Sequence, residues 1–323
     1  MKYFLILNPG SKSGKSRKRF QQIFDIMNNL NLEYDYGTTS SLEDAYSLSR
    51  HANINGSYGT IVAVGGDGTI NRVLNGFYNS DGSRVSQAKM GVIYTGTSPD
   101  FCKSYGIPLT VENAVKTLLK ENSRTIQVGK IILAKTLMKD YDGKPADSKE
   151  GFETKFFACC ANIGLGADLA RNANSGIRGV VGDKAGTFLA LLKTLACYKP
   201  GTFNICADGK AERLNGVYNI SIGRTHYIAS GIKVKNSLSD FDGRFYNLTV
   251  KDLRLQDLPG VLRKIYSGNL MSSNRNIVLS YQSTIDIYGN SDCPQVEFDG
   301  DPEGFLPCRI EAAKEGLDLI CDL

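Results

Sequence analysis

The first 120 residues alternate strand-like runs with segments of helical period, and this alternation constrains the fold more than any other feature. Strands are predicted at 3–7, 32–39, 60–64 and 90–94, and three of these four are continuous apolar runs typical of burial on both faces. Helices are predicted over 14–30, over 42–49, from about residue 70 and over 111–120. Such alternation specifies a mostly parallel sheet covered on both sides by helices.

The pattern changes near residue 126, where helical periods give way to short β-rich runs such as TFNICAD, VYNISIG and NIVLSY. A chain of 323 residues exceeds the usual size of one core, so two domains are expected. We predict a doubly wound α/β domain over 1–125 and an all-β domain over 126–323. One helix near 184–197 is expected to interrupt the second domain.

Composition excludes several classes of protein. Lys and Arg number 38 against 33 Asp and Glu, and a net charge of +5 without any basic block does not indicate a nucleic-acid binder. No apolar run approaches the roughly 18 residues that a membrane span needs. The eight cysteines show no CxxC spacing, which indicates reduced thiols and a cytoplasmic protein.

The strongest local motif is the sequence GGDGT at 65–69, between a predicted strand and a predicted helix. Glycines allow close approach of a ligand, and the N-terminus of the following helix favours a phosphate. A carboxylate in a phosphate loop, here Asp67, is best explained by a magnesium ion. The alternative is an ordinary tight turn in which Asp67 caps the helix.

A second loop, NPGSKSGKS at 8–16, follows the first predicted strand. It is not a Walker A motif, because the spacing requires glycine where Pro9 stands. Basic residues crowd the start of the next helix, where they oppose the helix dipole unless an anion binds. Phosphate contact is therefore one interpretation, and a solvated basic face is the other.

The third loop, TGTSPD at 95–100, follows the strand at 90–94. The carboxyl ends of parallel strands meet at one edge of a sheet, so the three loops should converge there. Convergence of three loops rich in Gly, Ser and Thr predicts a nucleotide phosphate site. Two acidic turns of the β domain, at 239–243 and 299–301, are consistent with ordinary hairpins when each is taken alone.

These motifs together resemble a known family. The segments NPGSKSGK at 8–15, VAVGGDGTINRVLNG at 62–76 and GVIYTGTSPDFCKSYGIP at 91–108 are similar to bacterial diacylglycerol kinase-like lipid kinases, which are distant relatives of NAD kinases. The similarity continues through 162–168, 239–250 and 296–301, so it spans nearly the whole chain. GGDGT alone is shared with NAD kinases and phosphofructokinases, whereas its combination with the other two loops indicates the lipid kinase branch.

The resemblance implies an ATP- and Mg²⁺-dependent kinase that phosphorylates a hydroxyl of diacylglycerol or a similar lipid. It implies an N-terminal nucleotide domain, a C-terminal β-sandwich, an active site in the cleft between them, and final residues that return to the first domain. The implied catalytic residues are Asp67, Asp301 and Asp100. The implied nucleotide-binding residues are Asn8, Pro9, Gly10, Ser13, Lys15, Gly65, Gly66, Gly68, Thr69, Asn71, Gly96 and Thr97. Asp242, with Asp240, is the implied ligand set of a structural magnesium ion.

A lipid acceptor implies a peripheral protein that touches the membrane surface transiently. The predicted contact is the segment at 177–195, where a glycine-rich stretch meets the apolar run FLALL. The alternative is that FLALL forms a buried helix against the sandwich. The sequence is compatible with a homodimer, and nucleic acid is not expected as a partner.

Several positions depart from the family pattern. Arg72 stands where a glutamate is usual, Pro99 where an asparagine is usual, and Gln127 where an acid is common. Asp301 replaces a glutamate and so draws its carboxylate back by one methylene. A lipid kinase is the favoured function, and two rivals remain: a kinase of a polar substrate related to NAD kinases, and a nucleotide- or lipid-binding protein without catalysis.

Overall fold

The structure is a computed structural model that describes most of the chain. The described residues are 2–10, 17–97, 99–138, 144–145, 150–168, 198–228, 232–234, 236–239, 242–257, 260, 263, 275–289, 295–299 and 301–322. They fall into two compact units. The first unit comprises Met1–Lys130, Lys155–Ala158 and Ala312–Leu323, and the second comprises Ile131–Thr154 and Cys159–Glu311.

The first unit contains a six-stranded sheet of order β2-β1-β3-β4-β18-β5. Its strands are β1 (Tyr3–Leu7), β2 (Tyr34–Thr38), β3 (Thr60–Gly65), β4 (Lys89–Tyr94), β5 (Ser123–Ile126) and β18 (Leu317–Ile320). All neighbours pair in parallel except β18 and β5, which are antiparallel. The last strand of the chain therefore lies in this sheet, between β4 and β5.

Five helices belong to the same unit. They are α1 (Arg17–Asn29), α2 (Leu42–Asn55), α3 (Asp67–Asn75), α4 (Asp100–Tyr105) and α5 (Val111–Lys120). Helices α1 and α5 bury Ile23, Met27 and Val115 against β1 and β3, which explains the helical period seen in the sequence. Helix α2 begins with a capping box between Ser41 and Asp44.

The remaining strands lie mostly in the second unit, although 129–130 of β6, 155–157 of β7 and Ala312 of β17 are counted with the first. They are β6 (Gly129–Ala134), β7 (Phe152–Phe157), β8 (Cys160–Gly164), β9 (Gly201–Ala207), β10 (Lys210–Gly223), β11 (Tyr227–Ile228), β12 (Ile232–Lys233), β13 (Phe245–Lys251), β14 (Ile277–Gln282), β15 (Ile285–Gly289), β16 (Gln295–Phe298) and β17 (Asp301–Ala312). The main path β14-β13-β10-β8-β16-β17-β15-β9 is antiparallel throughout. Strands β6 and β7 pair with each other, and β6 also pairs with β17.

Strand β10 has 14 residues and pairs with three other strands of this unit. Its first half pairs with β9, its second half pairs with β8 and β13, and the register shifts between Leu214 and Val217. A bulge of this kind bends a strand, which allows the two halves of β10 to pair with different neighbours. Because β9 also pairs with β15, the pairing of β9 with β10 closes six strands into a ring.

The predicted fold class, an α/β unit followed by an all-β unit, is confirmed. Two details of the prediction were wrong. Helix α3 begins at Asp67 rather than near Ile70, because the Ile70 N–H already donates to the Gly66 carbonyl over 3.0 Å. Helix α4 was not predicted, because its six residues are too few to show a helical period.

Two further predictions concern the membrane. In the part of the chain that the structure describes, no helix is both long and apolar enough to cross a bilayer. The predicted membrane-contact segment at 177–195 and the helix near 184–197 lie outside the described residues.

Candidate active site

Three loops of the first unit begin at the same level of the sheet. Strand β1 ends at Leu7, whose register partner on β3 is Val64, and Val64 in turn is paired with Ile93 on β4. Since the three strands are parallel and adjacent, the loops that follow them leave the same edge. The loops at 8–10, 65–69 and 95–97 are therefore neighbours, as their order in the sequence predicted.

Side-chain and backbone bonds join the first two loops. Asn8 donates from its side-chain amide to the Thr69 hydroxyl over 2.7 Å, and its backbone N–H donates to Val64 over 3.0 Å. The Asn8 side-chain oxygen also accepts from the Gly10 N–H over 2.9 Å, which tightens the turn after β1. Asn8 thus fixes the loop after β1 on the first turn of α3.

Glycines allow the second and third loops to pack backbone to backbone. A Cβ atom at Gly96 would lie 2.6 Å from the Gly66 Cα atom, which is closer than real Cβ contacts. The Thr95 N–H donates to the Gly65 carbonyl over 2.9 Å at the same place. Any side chain at Gly96 would force the two loops apart.

The N-terminus of α3 has features that suit an anion. Its N-cap is Gly66, in an extended conformation and without a side-chain cap, so Asp67 is the first residue of the helix rather than its cap. This position contradicts the alternative in which Asp67 caps a turn. Unpaired N–H groups in a first turn and the helix dipole together favour a phosphate.

Asp67 and Asp100 occupy equivalent places in the fold. Asp67 opens α3 after β3, and Asp100 opens α4 after β4, with Pro99 at its N-cap. Burial raises the pKa of the Cys102 thiol in α4, and the negative charge of Asp67 raises that pKa further. The first turns of α3 and α4 are therefore close enough to interact electrostatically, and both predicted carboxylates of this unit lie at one edge of its sheet.

Asn71 has a structural contact. It is 3% exposed, and its side-chain amide donates to the Phe156 carbonyl over 2.9 Å. Asn75, one turn later, donates to the same carbonyl over 2.8 Å and accepts from the Phe156 N–H over 2.9 Å. No local pattern indicated the Asn75 contact, because its partner lies 81 residues away in the sequence. A nucleotide contact of Asn71 stays a prediction.

Part of the basic cluster at the start of α1 reaches the same sheet edge. Arg19 donates to the carbonyl of Tyr94, the last residue of β4, over 3.3 Å. Ser13 and Lys15, which were predicted to bind the nucleotide, lie outside the described residues.

In the second unit, Asp301 opens β17 directly after the turn that follows β16. It is paired across the strands with Phe298. Asp299, inside the turn, has a left-handed backbone with φ of 50°, and its carboxylate accepts from the N–H groups of Cys159 and Cys160 over 3.0 and 3.3 Å. The acidic turn at 299–301 is therefore more than a hairpin, because Asp299 anchors it to the start of β8.

The predicted magnesium ligand Asp242 is bound to an arginine. Its Oδ1 accepts from the Arg244 Nε over 2.9 Å and its Oδ2 from Arg244 Nη2 over 2.7 Å. These hydrogen bonds lower the pKa of Asp242 to about 2. Arg224 braces the same turn by donating to the Ser239 carbonyl over 2.9 Å. With both carboxylate oxygens engaged by a cation, this arrangement does not fit a metal ion at Asp242; Asp240 lies outside the described residues.

The residues at the sheet edge of the first unit fit magnesium better. Over the described ranges, no group of three or more His, Cys, Asp or Glu side chains could hold a metal by itself. Magnesium in kinases is usually held by one or two carboxylates together with substrate phosphates and waters. Asp67, at the N-terminus of α3, is a carboxylate of this kind.

Comparison with known families agrees with this division of the chain. Residues 2–131 match the diacylglycerol kinase catalytic domain, and residues 161–321 match the YegS C-terminal NAD kinase beta sandwich-like domain. Similar curated proteins include the diacylglycerol kinase of Bacillus subtilis, 23% identical over 94% of this chain and 90% of the relative. The diacylglycerol kinase of Staphylococcus aureus is 22% identical over 98% of this chain and 90% of the relative.

The fold also matches solved structures. A crystal structure of a diacylglycerol kinase from Bacillus anthracis superposes with a TM-score of 0.68 at 18% identity and covers 99% of this chain and 97% of its own. The solved structure and the two family models therefore agree on an α/β domain followed by a β-sandwich-like domain. The chain belongs to the diacylglycerol kinase-like lipid kinase family.

Proposed function

We propose that the protein is an ATP- and Mg²⁺-dependent lipid kinase that transfers the γ-phosphate of ATP to a hydroxyl of diacylglycerol or a similar lipid. The observation that carries the proposal is the convergence of three loops at the carboxyl ends of β1, β3 and β4, beside Asp67 at the N-terminus of α3. Relatives named diacylglycerol kinase, at 22–23% identity over nearly the whole chain, support the choice of lipid.

Phosphoryl transfer mainly requires positioning and neutralisation of charge. In this proposal the phosphates lie over the first turn of α3, where the backbone N–H groups of 66–69 donate to them. Asn8 and Thr69 hold the neighbouring loop in place through their bond of 2.7 Å, and the contact between Gly66 and Gly96 keeps the third loop close. The basic residues of 15–19 balance the charge of the triphosphate.

Magnesium, when bound with the nucleotide, would draw charge from the phosphate oxygens, and Asp67 would hold it there. Asp67 also stabilises α3, because a carboxylate in the first turn of a helix interacts favourably with the helix dipole. The proposal assigns no metal to Asp242, whose partner is Arg244.

The acceptor hydroxyl needs a carboxylate that orients it or takes its proton. We assign this task to Asp301, which opens β17 beside the Asp299 anchor, with Asp100 as the other candidate. An aspartate is one methylene shorter than the glutamate usual in the family. The acceptor hydroxyl must therefore approach the backbone of this turn more closely. This favours a hydroxyl carried on a sterically small group.

A lipid acceptor would be reached at a membrane surface, so we propose a cytoplasmic protein that associates peripherally with the bilayer. The segment at 177–195 is the proposed contact. Vesicle flotation of the intact protein, with and without that segment's apolar run replaced by serines, tests this part of the proposal independently of catalysis.

The decisive experiment is transfer of label from γ-labelled ATP to mixed neutral lipids in detergent micelles, with magnesium present. We expect a labelled lipid, and its headgroup and chains would identify the acceptor. The Asp67→Asn variant should lose the product by at least a hundredfold, on the scale typical of lost transition-state electrostatics. Label on NAD instead of lipid would establish the polar-substrate rival, and ATP binding without any product would establish the binding-only rival.

A matched control separates catalysis from helix stability. Glu112 lies in the first turn of α5, so Glu112→Gln removes a similar favourable interaction with a helix dipole without touching the three loops. The free energies of unfolding of the two variants should agree to within about 0.5 kcal/mol. Only Asp67→Asn should abolish transfer.

A further inference from the structure

Besides the backbone pairing of β16 with β8, two side-chain contacts attach the turn that carries Asp301 to β8. The first is Asp299, whose Oδ1 accepts from the N–H groups of Cys159 and Cys160. The second is Glu297, whose Oε2 accepts from the side-chain amide of Asn162 over 2.7 Å. Glu297 and Asn162 are register partners on β16 and β8, and they are only 5% and 7% exposed.

The Glu297 contact belongs to a longer buried chain of hydrogen bonds. The Asn162 side-chain oxygen accepts from the Ser221 hydroxyl over 2.6 Å, and this hydroxyl accepts from the Asn219 side-chain amide over 2.9 Å. The Asn219 side-chain oxygen then accepts from the Gly166 N–H over 2.8 Å. The chain of hydrogen bonds thus runs from β16 to the segment after β8 and includes Asn162 and Gly166 of the NIGLGAD sequence at 162–168.

Neither carboxylate has a part in the proposed chemistry, although both lie within four residues of Asp301. Buried carboxylates are unusual unless they are hydrogen bonded, and Glu297 is buried and bonded to β8, while the partly buried Asp299 is bonded to the N–H groups at the start of the same strand. Glu297 thus holds the end of β16, and Asp299 holds the turn that follows it. Asp301 pairs with Phe298, which stands between them, so its backbone position depends on both anchors.

We propose that Glu297 and Asp299 are positioning residues that fix the backbone of Asp301 through β8. The inference rests on the proposed function only in taking Asp301 as the group that meets the acceptor. Side chains that hold a reacting group in place can have large effects, because a misplacement of about 1 Å can lower a rate by about a hundredfold.

Paired variants test the acceptor oxygen at each anchor. Asp299→Ala and Glu297→Ala remove the oxygens and should lower kcat by about tenfold to a hundredfold, with the KM for ATP unchanged. Asp299→Asn and Glu297→Gln keep an acceptor oxygen and should restore kcat to within about threefold of the wild type. Asparagine also tolerates the left-handed backbone at 299, which alanine does not.

A second buried carboxylate of the same sheet serves as the matched control. Asp286 is 3% exposed and is paired with Arg309 at 3.3 Å, but it lies on β15 and makes no contact with the anchors in the bonds described above. Asp286→Ala should lower stability and leave kcat unchanged well below the unfolding temperature. An equal fall in kcat for Asp286→Ala would overturn the proposal, because any loss of stability would then suffice.

Coupling to Asp301 decides between positioning and general packing. In an Asp301→Asn background, Glu297→Ala should have little further effect on kcat, since the group that it positions is already gone. An effect as large as in the wild type would overturn the proposal.

Amide hydrogen exchange gives a readout that does not depend on catalysis. Glu297→Ala should speed exchange of the Cys160 N–H by about tenfold or more, because the turn that it anchors loosens. Exchange within about twofold of the wild type would overturn the inference. If the wild type transfers no phosphate to any acceptor, the proposed function fails, and this exchange measurement alone decides whether the two anchors act together.

Discussion

The side-chain amide of Asn8 donates to the hydroxyl of Thr69 over 2.7 Å, and this single bond joins two loops that lie 61 residues apart in the sequence. Thr69 is only 2% exposed, so its hydroxyl exchanges little with water. The bond holds the turn after β1 against the first turn of α3. The shape of the proposed phosphate-binding edge therefore depends on a contact between the loop after β1 and the first turn of α3.

Replacing Thr69 by valine should weaken both stability and nucleotide binding. The variant keeps the volume of the side chain but removes the acceptor for Asn8, which should lower the free energy of unfolding by about 1 kcal/mol. We expect the KM for ATP to rise about fivefold to tenfold, because the loop after β1 is no longer held. Urea unfolding and steady-state kinetics measure the two effects.

Thr125→Val is the control for this prediction. Thr125 lies on the edge strand β5, and its hydroxyl donates to Asp318 over 2.6 Å at an exposed position. The control should change stability slightly and leave the KM for ATP as it is. A KM for Thr69→Val equal to that of the wild type would show that the bond is structural only.

Alanine at Gly96 should separate the second and third loops. The new methyl group would lie 2.6 Å from the Gly66 Cα atom and 2.7 Å from the Tyr94 hydroxyl oxygen, so the backbone must move. We expect a loss of about 1–3 kcal/mol in unfolding free energy and a clear rise in the Kd for ATP measured by calorimetry. Gly243→Ala, where a Cβ atom would meet nothing within 4 Å, should behave like the wild type in both measurements.

The ion pair between Asp242 and Arg244 should make stability depend on acid pH. The pKa of Asp242 falls from its ordinary 3.8 to about 2, so the pair stabilises the folded state fully above pH 3.8 and this contribution is lost as pH falls toward 2. Arg244→Gln should therefore lower the unfolding free energy slightly at pH 7 and match the wild type near pH 2. Chemical unfolding at several pH values measures the difference, and a difference that persists at pH 2 would contradict the assignment.

The same pair predicts how the turn responds to magnesium. Because Arg244 occupies both carboxylate oxygens of Asp242, Mg²⁺ without nucleotide should leave the Tm of the wild type unchanged. Magnesium should raise the Tm of Arg244→Gln if the freed carboxylate then binds the ion. A rise in the wild type that Asp242→Asn removes would restore Asp242 as a metal ligand.

The parallel sheet could be predicted from the sequence because the evidence for each of its strands and helices is local. Strand β1 is apolar over its whole length, β3 is apolar after Thr60, and helix α5 shows its period over ten residues. The convergence of the three loops followed from strand order alone. Contacts between distant residues left no such local pattern, so the clamp of Asn75 on Phe156 and the anchor from Glu297 to Asn162 were not predicted.

Asp242 illustrates a different limit of prediction. The resemblance implied that Asp242 binds a metal ion. It carried no information about which neighbouring side chain would hydrogen bond to the Asp242 carboxylate. Arg244 follows two residues later, and both its backbone N–H and its side chain donate to the Asp242 carboxylate. An Asp-x-Arg spacing in an acidic turn was the available signal, since it places a cation within reach of the predicted ligand.

Asn75 should be more important for stability than Asn71, although both donate to the Phe156 carbonyl. Asn75→Ala removes a donor to that carbonyl and also the acceptor for the Phe156 N–H, leaving a buried donor without its partner. The expected loss is about 2–3 kcal/mol in unfolding free energy. Asn71→Ala leaves the carbonyl bonded to Asn75, so its loss should be nearer 1 kcal/mol.

The two variants also separate structure from nucleotide binding. Asn75→Ala should leave the Kd for ATP unchanged at a temperature where the protein is fully folded, because its bonds face β7 and α3 itself. If Asn71 also contacts the nucleotide, Asn71→Ala should raise that Kd despite its smaller effect on stability. Urea unfolding and calorimetric titration of the same preparations compare the two quantities, and an unchanged Kd for Asn71→Ala would limit Asn71 to its contact with Phe156.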